Sequence, residues 1–446
     1  MKTGRIGWER AGGAPRCTRR DCMRWMAGAA ASPWAAWPLS GCGGRDAAMP
    51  PTVAGFEGGR RLLADGIPTV VLTGSWLAMG RQYGALLAGE IAATHARVMP
   101  YAERANRAFD KPNQVLAEEL FQSYPARFRA LFDGMAQTSG LSLQALKLAN
   151  ALEIVMMFGD ALYANRCSAL SAWGEWSDGA RLVYGRNYDY TDDLLPLDAS
   201  LVVTVFHPDD GSIPFAICTW AGCLYASTGL NQAGLFVEEN DCSPHDRQAG
   251  GFFVTGDHLN MKTWVQDDVQ LLSLLAEAGT MAQADAWMRS HLPIYPHTIG
   301  LADRHEARCV QWNVRERVPH APWARQAPGL MAQTNHYFVV PAGWDLAPYV
   351  EQDATGSAIP GGSVQRLQNL LSQAQRLKGR LDVRTLCQVM DLTIELGGAT
   401  HASGTLYQVV CEPQSFTFLV KTQARRDRWA DIPLSRLLFE PHLSTE

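Results

Sequence analysis

Cys167 opens the run Cys-Ser-Ala-Leu-Ser-Ala-Trp-Gly174, and Arg186 and Asp189 close the run Ala180-Arg-Leu-Val-Tyr-Gly-Arg-Asn-Tyr-Asp189 that follows it. With the turn residues Ser177-Asp178-Gly179 between them, the two runs read as a pair of strands. A thiol attacks only as the thiolate, and a free cysteine titrates at about 8.5, so chemistry at Cys167 needs a base. None of the eleven histidines stands near it in sequence. Another solution puts both functions on one residue. Cleavage between Arg166 and Cys167 gives the cysteine its own α-amine, which titrates at about 7.7–8.0. A carboxylate such as Asp189 then orients the new ammonium, and a guanidinium such as Arg186 raises the thiolate fraction. Further donors must stabilise an oxyanion. The plain alternative is a buried structural thiol.

The elements that must hold these residues follow from periodicity. Residues 56–73 form a strand region, and Leu77–Ile91 is apolar at helical spacing. One helix is expected between Gln114 and Gly134 and another between Ser142 and Phe158. This front section is mostly helical. From Cys167 the texture changes to strands separated by Asp, Gly and Pro, at 181–190, 200–206, 214–219 and 234–239. Helices return at 265–278 and 281–290, and 297–303 with 307–313 make a hairpin. A strand is expected at 329–340, helices at 363–378 and 383–396, and a last hairpin at 406–411 with 415–420. Strands, then helices, then strands predict stacked layers rather than a βαβ series.

Of 446 residues, 47% are hydrophobic and 19% charged, with a net charge of −5. That suits one large domain or two moderate ones. No basic stripe exists to neutralise phosphates, so nucleic acid is not an expected partner. Ten cysteines include no CxxC pair and no zinc-like Cys/His spacing. Neither a disulfide scaffold nor a metal is expected, and no cofactor. HExxH, Walker A, GxGxxG and GxSxG patterns are absent, which removes the commonest other enzyme classes. His291 and His297 are not read as ligands, His336 is read as packing, and Glu238 and Glu239 as a solvated turn.

Residues 1–42 read as an address. Arg19-Arg20 precede a short Ala-rich run, and Leu39-Ser-Gly-Cys42 resembles a lipobox whose cysteine receives lipid. This is the order of a twin-arginine lipoprotein signal, followed by a linker at 43–51. The expected location is the periplasm, with the membrane touched only through acyl chains at Cys42. No other segment is apolar for long enough to cross a bilayer.

A cysteine at a strand start, with Gly185-Arg-Asn-Tyr-Asp189 about eighteen residues later, resembles the N-terminal-nucleophile hydrolases. Within them the chain resembles the acyl-coenzyme A:6-aminopenicillanic acid acyltransferase family and the related choloylglycine (bile salt) hydrolases. The resemblance also rests on Met79-Gly-Arg-Gln-Tyr-Gly84, Gly229-Leu-Asn-Gln-Ala-Gly-Leu235, Gln333-Thr-Asn-His-Tyr337, Ser363-Val-Gln-Arg366 and Thr405-Leu-Tyr-Gln-Val-Val410, in the same order. It departs at Arg166, which stands where the penicillin enzyme has glycine. The resemblance implies an α+β fold, a four-layer αββα sandwich with two antiparallel sheets between helical layers. Residues 52–166 would be a propeptide retained as a separate chain, and 167–446 the catalytic chain. Cys167 would be nucleophile and, once freed, its own base; Arg186 and Asp189 would be the charged pair. Asn335 would donate to the oxyanion, a backbone N–H at Asn240 or, one residue on, Asp241 would join it, and Arg366 would support the site. Asn231 is a further candidate for contact with oxyanion or substrate. The implied reaction is hydrolysis of a linear, small-molecule amide with an apolar acyl group. Transfer of that group to an amine, or a non-catalytic binding module, are the alternatives. Oligomeric state is open.

Overall fold

The computed structural model describes residues 49–104, 112–151, 167–190, 192–241, 245–246, 265–294, 297–312, 325–336, 346–347 and 361–441. The signal at 1–42 with Cys42, most of the linker, and Arg166 lie outside the described residues.

The described residues begin with a meander of β1 (Thr52–Phe56), β2 (Gly59–Ala64) and β3 (Ile67–Gly74). The expected single strand region is thus folded back twice. The cause is local: Glu57-Gly58 and Asp65-Gly66 all take positive φ, from 46° to 87°. Two such residues in a row make the tight turn whose twist matches antiparallel strands. Helices α1 (Trp76–Leu86), α2 (Ala88–Arg104), α3 (Asn113–Ser123), α4 (Ala126–Thr138) and α5 (Leu143–Asn150) follow. The one helix expected across 114–134 is two, because Pro125 takes the N-cap position of α4 and cannot continue α3.

Next come β4 (Ser168–Gly174), β5 (Ala180–Asp189), β6 (Leu201–Pro208), β7 (Phe215–Trp220), β8 (Thr228–Asn231), β9 (Phe236–Asp241) and the two-residue β10 (His245–Asp246). Helices α6 (Asp267–Glu277) and α7 (Met281–Ser290) precede β11 (His297–Ala302), β12 (Ala307–Trp312), β13 (Arg325–Ala327), β14 (Leu330–Gln333) and β15 (Leu346–Ala347). The C-terminal part holds α8 (Ser363–Arg376), α9 (Val383–Asp391), β16 (Thr405–Glu412), β17 (Thr417–Thr422), β18 (Ala430–Ile432) and α10 (Leu434–Leu437).

Two large sheets result, ordered β1-β2-β3-β6-β7-β8-β9-β11-β12 and β13-β14-β4-β5-β16-β17-β18. Pairing is antiparallel except between β3 and β6, which run parallel with Thr69 opposite Val203. The front section therefore supplies three strands to the nine-stranded sheet, and the sheet continues across position 167. The side-chain alternation of strands assigns the layers. Ala169, Tyr184, Met331, Val409 and Phe418 join the core shared with the nine-stranded sheet. Their neighbours Leu170, Val183, Ala332, Val410 and Leu419 pack instead against Leu370, Ala374, Leu386 and Met390 of α8 and α9. On the far side Trp76 of α1 and Phe128 of α4 pack edge to face, and Trp76 lies against Phe206 and Phe215 of the nine-stranded sheet. Helices, sheet, sheet, helices is the αββα order.

The Met79–Gly84 segment gains a structural meaning. Gly80 and Gly84 lie one turn apart on α1 and meet α4 around Gly134. A Cβ built on Gly80 would stand 2.0 Å from the Leu131 carbonyl oxygen, and one on Gly134 2.2 Å from that of Leu77. Between them, Gln82 donates to the Glu57 and Thr73 carbonyls and accepts from the Thr73 amide, tying α1 to the meander. Gly80→Ala must push the two helices apart. It is expected to lower unfolding stability by about 2 kcal/mol or more, read as a fall in thermal midpoint; an unchanged midpoint would contradict this packing.

Candidate active site

The β4–β5 pairing sets Ala169 opposite Arg186 and Ser168 opposite Asn187, so Cys167 emerges beside the C-terminal end of β5. The Cys167 sulfur lies 3.6 Å from the Asp189 carbonyl oxygen and 3.9 Å from an Arg186 nitrogen. The thiol is buried, and that burial pushes it up to about 12, with Arg186 pulling it down and Asp189 and Asp241 pushing it further up. In the uncut chain Cys167 is therefore a protonated thiol at neutral pH. Among the described residues no histidine contacts it.

Arg186 is on the inner face of β5 and spans the space between the sheets. It donates to the Thr228 hydroxyl of β8 and, at 2.6 Å, to the Glu239 carbonyl of β9. Its Nε lies 3.4 Å from Glu238 Oε2, and its guanidinium carbon sits 4.9 Å from the Tyr188 ring centre. Glu238 also accepts from the Tyr184 hydroxyl and from Gln333 Nε2. Burial pushes its carboxyl up to about 7, against the pull of Arg186 and of the Tyr184 hydrogen bond. Glu238 and Glu239 are buried, not the solvated turn expected, because β11 and β8 flank them. Asp189 accepts from Thr405 of β16 at 2.5 Å, which fixes the carboxylate at the end of β5.

Asn335 and Arg366 join the same place from the other side. Arg366, in the first turn of α8, donates to the Cys167 carbonyl and to Asn335 Oδ1, each at 2.8 Å. Ser363, one turn earlier on the same face, accepts from the Asn335 amide at 2.8 Å and donates to Thr334 at 2.8 Å. The Ser-x-x-Arg spacing thus holds both backbone and side chain of Asn335. With its oxygen on Arg366, the Asn335 amide must present its nitrogen; one of its two hydrogens goes to the Asp241 carbonyl at 2.8 Å. His336 carries no charge at neutral pH, because burial and the nearby Arg366 push it down to about 4.

Two of the candidates are placed as follows. The Glu239 amide donates to Ser227, toward β8. In a strand the N–H and C=O of alternate residues point to alternate edges, so the Asn240 amide faces β11, where Asn240 pairs with Thr298. Asp241 faces the edge that carries Arg186 and Asn335, so the backbone donor of that edge belongs to Asp241. Asn231 is engaged elsewhere. Its amide donates to the Leu275 and Ala278 carbonyls and accepts from the Ala233 and Leu235 amides, closing a turn against α6.

Sequence reasoning missed one group. His297 meets Glu239 and Asp241 at the end of β9, the first two buried and Asp241 half-buried. The missed signal is the antiparallel register, which sets His297 opposite Asp241.

No protein-family profile and no curated protein matches the chain. Solved structures that it resembles include a Caenorhabditis elegans N-acylethanolamine-hydrolyzing acid amidase ortholog, at 18% identity over 55% of this chain and 93% of that one, TM-score 0.39. Penicillin V acylase from Agrobacterium tumefaciens aligns at 14% identity over 57% and 83%, TM-score 0.37. A mutant of the conjugated bile acid hydrolase from Clostridium perfringens aligns at 12% over 57% and 89%, TM-score 0.34. At these values the functional reading rests on the site's own geometry.

Arg186 and Glu238 are expected to be energetically coupled. Arg186→Gln leaves the buried carboxylate uncompensated and should cost about 3–5 kcal/mol. Adding Glu238→Gln should recover more than about 1 kcal/mol of that loss in a denaturation-based double-mutant cycle. Strict additivity would contradict the pairing.

Proposed function

We propose that this chain is a cysteine-nucleophile amidohydrolase that cuts itself between Arg166 and Cys167 and then hydrolyses a linear amide through an acyl-thioester. The observation that carries this reading is the Arg366 guanidinium, which bonds the Cys167 carbonyl and the Asn335 amide oxygen at once. One buried cation thereby couples the nucleophile's backbone to the candidate oxyanion donor.

The chemistry follows from that arrangement. The buried thiol needs a base, and no described histidine supplies one. The α-amine freed at Cys167 takes the thiol proton, sulfur bonds to the amide carbon, and Asn335 with the Asp241 backbone amide stabilises the oxyanion. Collapse breaks the C–N bond, and the leaving amine takes the proton from the α-ammonium. Water then attacks the thioester carbon, its proton passing through the same amine, and sulfur leaves as the regenerated thiol. Arg186 offsets negative charge on sulfur, and Asp189 orients the ammonium.

The leader supports a second element of the reading. Arg19-Arg20 and Leu39-Ser-Gly-Cys42 fit export in the folded state and lipidation at Cys42, leaving the enzyme tethered in the periplasm. Hydrolysis is favoured over transfer there, since no acyl-coenzyme A supply is evident. Cys42→Ala is expected to move the protein from the membrane fraction to the soluble one; retention on the membrane would contradict a lipid anchor.

The reaction is tested with the mature protein and a panel of N-acyl amides. Amine release is expected in the wild type, with an acyl adduct mapping to Cys167 by mass spectrometry. Asn335→Ala should lower kcat about 100-fold or more, the loss of one oxyanion donor. A competing amine added to the same assay separates hydrolysis from transfer. Equal amide turnover by wild type and Cys167→Ala would overturn the reading.

A further inference from the structure

His297 opens β11, and its imidazole is fully buried among carboxylates. Nε2 lies 2.8 Å from Asp267 Oδ2. Nδ1 lies 2.7 Å from Glu239 Oε1 and 3.4 Å from Asp241 Oδ1. A neutral imidazole has one N–H and one bare nitrogen, and an ionised carboxylate only accepts. Contact between a carboxylate oxygen and a ring nitrogen at such distances needs a proton between them. With carboxylates at both nitrogens, the arrangement fits an imidazolium, which donates from each. Burial pulls the ring toward the neutral form, but Glu239, Asp241 and Asp267 outweigh it and hold the ring well above its ordinary range.

The groups that face the ring come from β9, α6 and β12. Glu239 and Asp241 belong to β9, Asp267 and Asp268 to the first turn of α6, and the uncharged Trp312 ring of β12 stands 6.2 Å away. Burial and the Glu239 carboxylate push Asp268 well above the usual carboxylate range, so it meets Glu239 as a protonated donor. Asp267 is held by the Ile294 amide at 2.6 Å and by Gln270 Nε2 at 3.3 Å. The ring is thus fixed at Nε2 to an anchored carboxylate and grips β9 through Nδ1. The backbone of the same two residues of β9 serves the candidate site. The Glu239 carbonyl accepts from Arg186 at 2.6 Å, and the Asp241 carbonyl accepts from Asn335 Nδ2 at 2.8 Å. The Asp241 amide is the backbone donor of that edge.

We propose that His297 is a positioning residue for the amide hydrolysis: its imidazolium clamps Glu239 and Asp241 by their side chains and thereby holds their peptide groups on Arg186, on Asn335 and toward the oxyanion. This role rests on the hydrolytic reading above, whereas the charge of the ring does not. A buried ion pair in good geometry is costly to break, because one partner is left charged and alone. The clamp has a pH sense. A histidine raised on folding gives its full stabilisation below its ordinary value of about 6.5 and loses it as pH rises through the higher folded value. Release of β9 therefore belongs to the alkaline side. It acts on kcat, since the oxyanion forms only once the carbonyl is attacked.

Two measurements on the full-length mature protein test this. The nitrogen NMR spectrum of histidine-labelled wild type should find both His297 ring nitrogens protonated at neutral pH. His297→Gln should delete that signal, and Asp267→Asn, which removes one facing carboxylate, should move its deprotonation to lower pH. Kinetics on an N-acyl amide supply the second readout. His297→Gln should lower kcat about 10–100-fold with KM changed less than about twofold, and Asp267→Asn should move the alkaline limb of kcat to lower pH. The Asp267→Asn arm decides even if His297→Gln does not fold. A ring with one bare nitrogen at neutral pH, an alkaline limb that Asp267→Asn leaves in place, or a folded His297→Gln protein with wild-type kcat would overturn the proposal. A wild type that turns over no amide but keeps the doubly protonated ring would place the failure in the hydrolytic reading, and the positioning role would fall with it.

Discussion

The structure depends on one buried cation between its sheets. Arg186 comes from the seven-stranded sheet, yet its guanidinium is satisfied by β8 and β9 of the nine-stranded sheet. A charge withdrawn from water is tolerated only when paired and hydrogen-bonded, and Glu238 is that pair. Glu238 is held in turn by Tyr184 and Gln333, again from the opposite sheet. The two layers are therefore locked in one relative position by polar contacts at the point where the Cys167 thiol lies. Apolar packing between the same faces, such as Tyr407 stacked on Tyr188 with Trp220 at its edge, surrounds that lock.

Arg366 does for the backbone what Arg186 does for the sheets. Hydrogen bonds to Gly361, Cys167 and Asn335 leave the guanidinium little freedom. A planar fork with fixed donors suits this role better than a flexible ammonium. The front helices act at longer range. The small residues of α1 and α4 allow a close crossing, and Gln82 and Tyr83 carry that crossing to the meander and to Gly222. Because β3 pairs with β6, the residues before Cys167 remain part of the sheet that carries β8 and β9.

Much of this was legible in the sequence where chemistry and geometry are local. Cys167, Arg186 and Asp189 lie on one pair of adjacent strands, so their meeting follows from a turn. Asn335 and Arg366 were reachable only through the order of several motifs, since both lie far along the chain from Cys167. Edge parity was not legible. Whether Asn240 or Asp241 faces the site depends on which edge of β9 meets β11, and a strand's sequence does not carry that. The turn that Asn231 closes against α6 was not legible either, because a buried amide that closes a turn has the same residue type as one that binds substrate. The parallel β3–β6 pair joins segments more than a hundred residues apart in sequence, and the grouping of His297 with Glu239, Asp241, Asp267 and Asp268 draws on two strands and a helix. Such groupings arise only from tertiary register.

The proposed chemistry requires Cys167 to become the first residue of a chain. Intact mass and N-terminal residue of the mature protein, measured beside Cys167→Ala, test this most directly. Two chains dividing between Arg166 and Cys167 in the wild type, with a single chain in the variant, are predicted. One uncut chain in both would contradict the account.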